Sequence, residues 1–306
     1  MRQNPNQGTY GGQPRRRGFN PRLLILAAFA AYGLYYYFSN RTVDPYTGEK
    51  VLIDKNIDAE QEEALGLQAF EQVLQQEQPV DPNSQISQQI RTIAARLVDK
   101  VDEVECALAA ERGLQPGNFA KDFDWQVVVL NSQQANAFAL PGGKMAVYTG
   151  LVPIAQNADG MAVVMGHEIA HALMRHGAQR MSRGKLEQVA QMGAAVGGVD
   201  PGIQQAVFSA YGVTSQLPYA RGHESQADEV GLMLMAAACF NPAEAVPLWQ
   251  RMSQMAGGNS GPEFASTHPS PESRIQHLQS LIPKAEEYKQ RFCTDPNATA
   301  SSGNSF

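Results

Sequence analysis

A chain of 306 residues with 43% hydrophobic and 18% charged side chains can bury one sizeable core, which excludes collagen-like, coiled-coil and wholly disordered proteins. Its net charge of −6 is uneven: residues 1–22 hold five arginines and no acid, so 19 bases face 30 acids in the remainder. An acidic body without clustered Lys and Arg argues against a nucleic-acid partner.

Residues 1–20, rich in Gln, Asn, Gly and Arg, are too poor in aliphatic side chains to offset their ordering entropy and read as a disordered basic tail. Leu23 to Phe38 is an uncharged apolar run that spans about 24 Å as a helix, so residues 21–40 read as a single transmembrane anchor. The Tyr35 to Phe38 cluster suits an interfacial aromatic belt, and the arginines hold the tail in the cytoplasm with the body on the far side. Two other readings stand beside an uncleaved anchor. Ala28-Phe29-Ala30 has the small-x-small form of a signal-cleavage site, although the apolar stretch before it is short, and the Arg-rich, acid-free start also fits a mitochondrial transit peptide.

Residues 41–57 lack periodicity and read as a linker. Asp58 with Gln61 marks a helix start that runs to Gln76. Ser84 opens a long helix on which Ile86, Ile90, Ile93, Leu97, Val101, Val104 and Leu108 form one apolar stripe. Trp125 to Leu130 reads as a strand, and Pro141-Gly142-Gly143 precedes a second strand, Lys144 to Tyr148. Beyond these the pattern is helical, with breaks near Asp200-Pro201, Gln216-Leu217-Pro218, Asn241-Pro242 and Gly257 to Pro271, and a polar tail from 294 to 306.

Within the helix from about Met161 lies His167-Glu168-Ile169-Ala170-His171, an H-E-x-x-H pattern. Residues four apart share a helix face, so both imidazoles reach one ion, and Glu168 beside them can take a proton from a water that zinc acidifies. A catalytic zinc needs a third protein ligand. The residues after His171 exclude a third His at H-x-x-G-x-x-H spacing, whereas Glu224 and Asp228 lie one turn apart on a later helix. Glu224 can ligate while Asp228 accepts the free ring N–H of a ligand His and orients it.

HEIAH followed by ESQAD, with NAFALPGGKMAVYTGL ahead and STHPSPESRI behind, resembles the zinc metalloprotease family of HtpX-type proteases, CAAX prenyl proteases, and OMA-type and BepA-type peptidases. The likeness runs from about Asp58 to Lys284. It implies an α+β fold, a mainly α-helical zincin-type domain (58–293) with a small β-sheet, preceded by the transmembrane helix. It also implies one Zn2+ per chain on His167, His171 and Glu224, with Glu168 as base and Asp228 supporting. A substrate peptide would lie along an edge strand made of Lys144, Met145, Ala146, Val147 and Tyr148. The chain lacks the helical repeats of BepA-type members and has one apolar span where the HtpX and CAAX types have several.

Of the other histidines, His176 lies about 180° from His167 on a continuous helix and reads as structural, as do His223 and His277. His268 is held extended by Pro269 and is a candidate oxyanion donor or reversible fourth metal ligand; Arg274 is a candidate partner for the active-site carboxylates. Cys239 and Cys293 can bridge two helix ends in an oxidising compartment, with three free thiols the alternative.

The expected protein is an anchored zinc endopeptidase. It would sit in a bacterial inner membrane with a periplasmic catalytic domain, acting on misfolded or unassembled envelope proteins. A zinc-stabilised, chaperone-like binding module with latent protease activity and a soluble secreted protease are the alternatives.

Overall fold

A computed structural model describes residues 21–196, 216–256 and 272–294. The basic tail 1–20, the break near Asp200-Pro201, the loop Gly257 to Pro271 and residues 295–306 of the polar tail lie outside the described residues.

Helix α1 (Pro21–Ser39) is followed by strands β1 (Arg41–Val43) and β2 (Lys50–Leu52), an antiparallel hairpin in the register Arg41↔Leu52. This hairpin replaces the aperiodic linker expected over 41–57. Three-residue strands are too short to display alternation; their turn is set by Asp44, whose Oδ1 accepts from the amides of Tyr46 and Thr47 at 3.0 and 2.8 Å.

Helix α2 (Ala59–Gln76) starts where the sequence indicates, with the Asp58 carboxylate accepting from the Gln61 amide at 2.9 Å. The long amphipathic helix is two, α3 (Gln85–Val98) and α4 (Val101–Glu111), separated at Asp99 and Lys100. The break leaves Ile90, Leu97, Val104 and Leu108 buried on one continuous surface, so apolar spacing alone cannot reveal it.

Strands β3 (Gln126–Leu130), β4 (Ala137–Leu140) and β5 (Lys144–Tyr148) form a sheet in the order β3-β5-β4, with β5 parallel to β3 and antiparallel to β4. The expectation that Lys144, Met145, Ala146, Val147 and Tyr148 form an edge strand is therefore wrong. All five are buried and both backbone edges of β5 are paired, so no substrate main chain can join them. The edges are β3, which the segment Gln78 to Val80 bonds on its outer side, and β4, four residues hidden in front of the Pro-Gly-Gly break. Lys144 is structural, its Nζ lying 2.6 Å from Asp124 Oδ2.

Helices α5 (Val152–Ala155), α6 (Ala158–Leu173), α7 (His176–Val196), α8 (Gln216–Ala237), α9 (Ala245–Ala256) and α10 (Glu272–Phe292) complete the described chain. The loop expected at Gln216-Leu217-Pro218 is the first turn of α8, where a proline costs no hydrogen bond because the N–H there has no intrahelical acceptor. Helix α6 is almost wholly buried and packs against α8, α3 and β4. Gly166 of α6 faces Gly231 of α8 so closely that a Cβ on Gly231 would sit 2.7 Å from the His167 nitrogen. That backbone approach brings the carboxylates of α8 within reach of the histidines of α6. Cys239 after α8 and Cys293 after α10 form a disulfide, and Cys106 is an exposed free thiol.

Candidate metal centre

His167 and His171 lie on successive turns of α6, and Glu224 projects from α8 toward both. The two imidazole Nε2 atoms are 3.1 Å apart, and the Glu224 oxygens lie 3.3 Å from that of His167 and 3.4 Å from that of His171. A tetrahedral ion with arms of about 2.0–2.1 Å has an edge of about 3.3 Å, so the three donors are spaced as such an ion requires. The donor set, two imidazoles and one carboxylate, leaves a fourth position for a reactant, and Glu168, itself buried, follows His167 directly.

The hydrogen bonds behind the histidines explain why their lone pairs point inward. His167 Nδ1 is 3.0 Å from Asp228 Oδ1, so its N–H donates to that carboxylate and Nε2 carries the lone pair. Asp228 is held by Arg274 of α10, whose Nε and Nη2 each donate at 2.7 Å; Nη1 donates to Glu224 at 3.1 Å. The guanidinium stacks 3.6 Å over the indole of Trp249. Burial opposes charging of His167, but the Asp228 and Glu224 carboxylates outweigh it and raise its pKa to about 9 in the metal-free chain, so a metal ion takes the Nε2 position in exchange for a proton. Burial likewise opposes ionisation of Asp228, and the guanidinium reverses it, holding the carboxyl below its usual range.

His171 is oriented by a chain that sequence reasoning missed. Its Nδ1 is 2.7 Å from Nδ1 of His176, whose Nε2 is 3.1 Å from Gln226 Oε1, while Gln226 Nε2 donates to Glu49 Oε2 at 2.8 Å. Glu49 can only accept, so the Gln226 amide turns its oxygen to His176, which donates from Nε2 and accepts at Nδ1. His171 therefore donates from Nδ1 and keeps its Nε2 lone pair among the metal donors. Burial, then the neighbouring His171 and His223, push the His176 pKa well down, which keeps it a neutral acceptor. His223 stacks on it at 4.0 Å and is itself driven down to about 4, by burial first.

The placement of His176 corrects the expectation that it points away. Helix α6 ends at Leu173, and Arg175 at φ 54 starts a new helix, so a count of 100° per residue does not carry across. Gln226, Glu49 and Trp249 had no sequence signal, because each acts through a contact distant in the chain. Arg274 does join the carboxylates as its position after the Ser-Pro loop suggested. His277 contributes no atom to the cluster, and His268 lies outside the described residues.

The model of peptidase family M48 matches residues 102–282. The chain belongs to that family. Among curated relatives, the mitochondrial metalloendopeptidase OMA1 of Saccharomyces cerevisiae is 35% identical over 185 residues, covering 56% of this chain and 51% of the relative. Human metalloendopeptidase OMA1 is 29% identical over 285 residues, covering 89% of this chain and 52% of its own. The beta-barrel assembly-enhancing protease of Yersinia pestis is 28% identical over 192 residues, covering 57% and 36%. This M48 chain spans about half the length of the OMA1 relatives it matches.

Proposed function

We propose that this M48 chain is a zinc-dependent endopeptidase held at a membrane by α1. The observation that carries the reading is the convergence of His167, His171 and Glu224 at tetrahedral spacing with Glu168 beside them. Zinc bound there would lower the pKa of a water and polarise the scissile carbonyl. Glu168 takes the proton of the attacking water and returns it to the leaving amine. Asp228 and Arg274 hold His167 and Glu224 in place, and His176 does the same for His171. His268 is assigned to the developing oxyanion on its sequence context alone.

The substrate main chain is assigned to the outer edge of β4, antiparallel to β5 and packed on α6. Tyr148 N–H donates to the Asn136 carbonyl at 3.0 Å, which fixes the phase: Phe138 and Leu140 bond to β5, while Ala137 and Ala139 turn their backbone outward. Ala137 N–H already donates to Asn136 Oδ1 at 2.9 Å, so Ala139 is the register point offered to a peptide.

Misfolded or unassembled envelope proteins are the proposed substrates, and a bacterial inner membrane with the body in the periplasm is the proposed location. Support comes from the Arg-rich tail before an apolar helix and from the disulfide, which persists in oxidising compartments. The test is cleavage of an unfolded protein such as casein by the full chain in detergent. Cleavage should stop when zinc is stripped by a chelator and return when zinc is restored. Cleavage indifferent to the chelator would sink the reading.

A further inference from the structure

The helix that leaves the candidate metal centre, α7, returns along α1. Tyr36 hydroxyl donates to Asp54 Oδ2 at 3.1 Å, and Lys185 of α7 donates to the same oxygen at 2.5 Å. Ser182 Oγ accepts from the Asp54 amide at 2.7 Å, which clamps the two helices to the hairpin. Above that clamp they run side by side: Gly33 meets Leu186, and Phe29 meets Gly193. A Cβ on Gly193 would lie 2.7 Å from Phe29 Cβ, so the helices approach to a distance that only glycine permits there, as membrane-embedded helix pairs do.

Charge stops partway along α7. The first half of α7 carries Arg180, Arg183, Lys185 and Glu187; Gln188 to Val196 carries none, and Gln188 and Gln191 are the polar side chains of that stretch. On α1, Tyr36 lies against Lys185 within the Tyr35-Tyr36-Tyr37 cluster, and the next charge is Arg41. Met192 and Val196 are 47% and 52% exposed, as Leu23, Leu24 and Leu34 are on α1 at 63%, 57% and 59%. Gly193, which meets Phe29, lies five residues beyond Gln188, about 8 Å, which places that contact within one leaflet of a hydrocarbon core about 30 Å thick.

We propose that the charge-free end of α7, Gln188 to Val196, is embedded in the bilayer beside α1, with acyl chains as the partner of its outer face. The chain thus enters the membrane with two elements rather than one. This rests on the anchored reading given above. It sets a geometric consequence: His176, which contacts His171, is twelve residues from Gln188, so the candidate metal centre stands about 18 Å along α7 from the membrane face.

The experiment uses the full chain carrying Cys106→Ser, reconstituted in vesicles of phosphatidylethanolamine and phosphatidylglycerol. A nitroxide is attached in turn at Met192→Cys, Val196→Cys, Leu24→Cys and Glu103→Cys, the last an aqueous reference on α4. Collision with oxygen, which concentrates in lipid, is compared with collision with a water-soluble nickel chelate. Labels at 192 and 196 should show an oxygen-to-nickel ratio several-fold above that at 103 and matching that at 24. A lipid-like ratio at 24 with an aqueous one at 192 and 196 would overturn the α7 proposal while leaving the anchor standing. Aqueous ratios at all three would overturn both. Low collision with both reagents at 192 and 196 would mean a protein interface, such as a second copy, and would also overturn it.

Discussion

Replacing His176 with phenylalanine removes the ring-nitrogen acceptor for His171 and the Nε2 donor to Gln226 while keeping the ring. The phenyl ring keeps the volume and the stack on His223, 4.0 Å away in the parent, but cannot accept the Nδ1–H of His171 that now lies 2.7 Å from His176. His171 is then left with a largely buried donor unsatisfied, a penalty of about 1–3 kcal/mol. It relieves that penalty by moving the proton to Nε2 or rotating, and either change withdraws a lone pair from the metal donors. Outer partners of ligand histidines contribute about 10–100-fold to metal affinity, which is about 1.4–2.7 kcal/mol. Zinc competition against a chromophoric chelator should show a loss of that size in His176→Phe, with the circular dichroism spectrum unchanged. Gln226→Leu, which lets His176 lose its preferred tautomer but keeps an acceptor in place, should lose less. Affinity equal to that of the unaltered chain in His176→Phe would refute an orienting role for the Glu49–Gln226–His176 chain.

Ala139→Pro deletes an N–H that faces away from β5, so the sheet should survive while KM for an unfolded substrate rises; an unchanged KM would move the peptide elsewhere. Arg175→Ala strands Glu62, 1% exposed and accepting from the guanidinium at 2.7 and 3.0 Å, and should cost about 3 kcal/mol in urea unfolding, the low end for a broken buried pair because Arg175 is partly exposed. Unfolding at the parental midpoint would contradict that ion pair. His268→Ala should lower turnover by about 10²-fold with metal content intact if the imidazole steadies the oxyanion. A raised basal rate would favour a capping role instead.

The residues that touch the metal position were legible because helix periodicity is rigid over one turn. His167 and His171, and Glu224 with Asp228, needed only a four-residue spacing on two unbroken helices. What failed did so where local geometry changes. The αL residue Arg175 ends α6 and swings His176 into contact with His171, a reversal no angular count anticipates. The three-residue strands of the 41–52 hairpin and the four residues of β4 are below the length at which alternation registers, so Glu49 and the true sheet edge went unseen. The break between α3 and α4 preserves the apolar face and left no trace in the pattern. Tertiary partners such as Trp249 and Gln226 are fixed by the approach of α8, α9 and α10, which carries no local signature.

If the His167, His171 and Glu224 cluster holds a zinc ion whose chemistry Glu168 completes, metal and activity must separate when Glu168 alone is altered. Glu168→Gln tests it most directly, because the amide cannot take a proton from water yet leaves all three donors untouched. Metal content by atomic emission and turnover of casein should be measured on the same samples of parent and variant. Parent and variant should each carry about one zinc per chain, with cleavage abolished in the variant. Loss of zinc in step with activity would make Glu168 a ligand, and retained cleavage would remove it from the chemistry; either result contradicts the assignment.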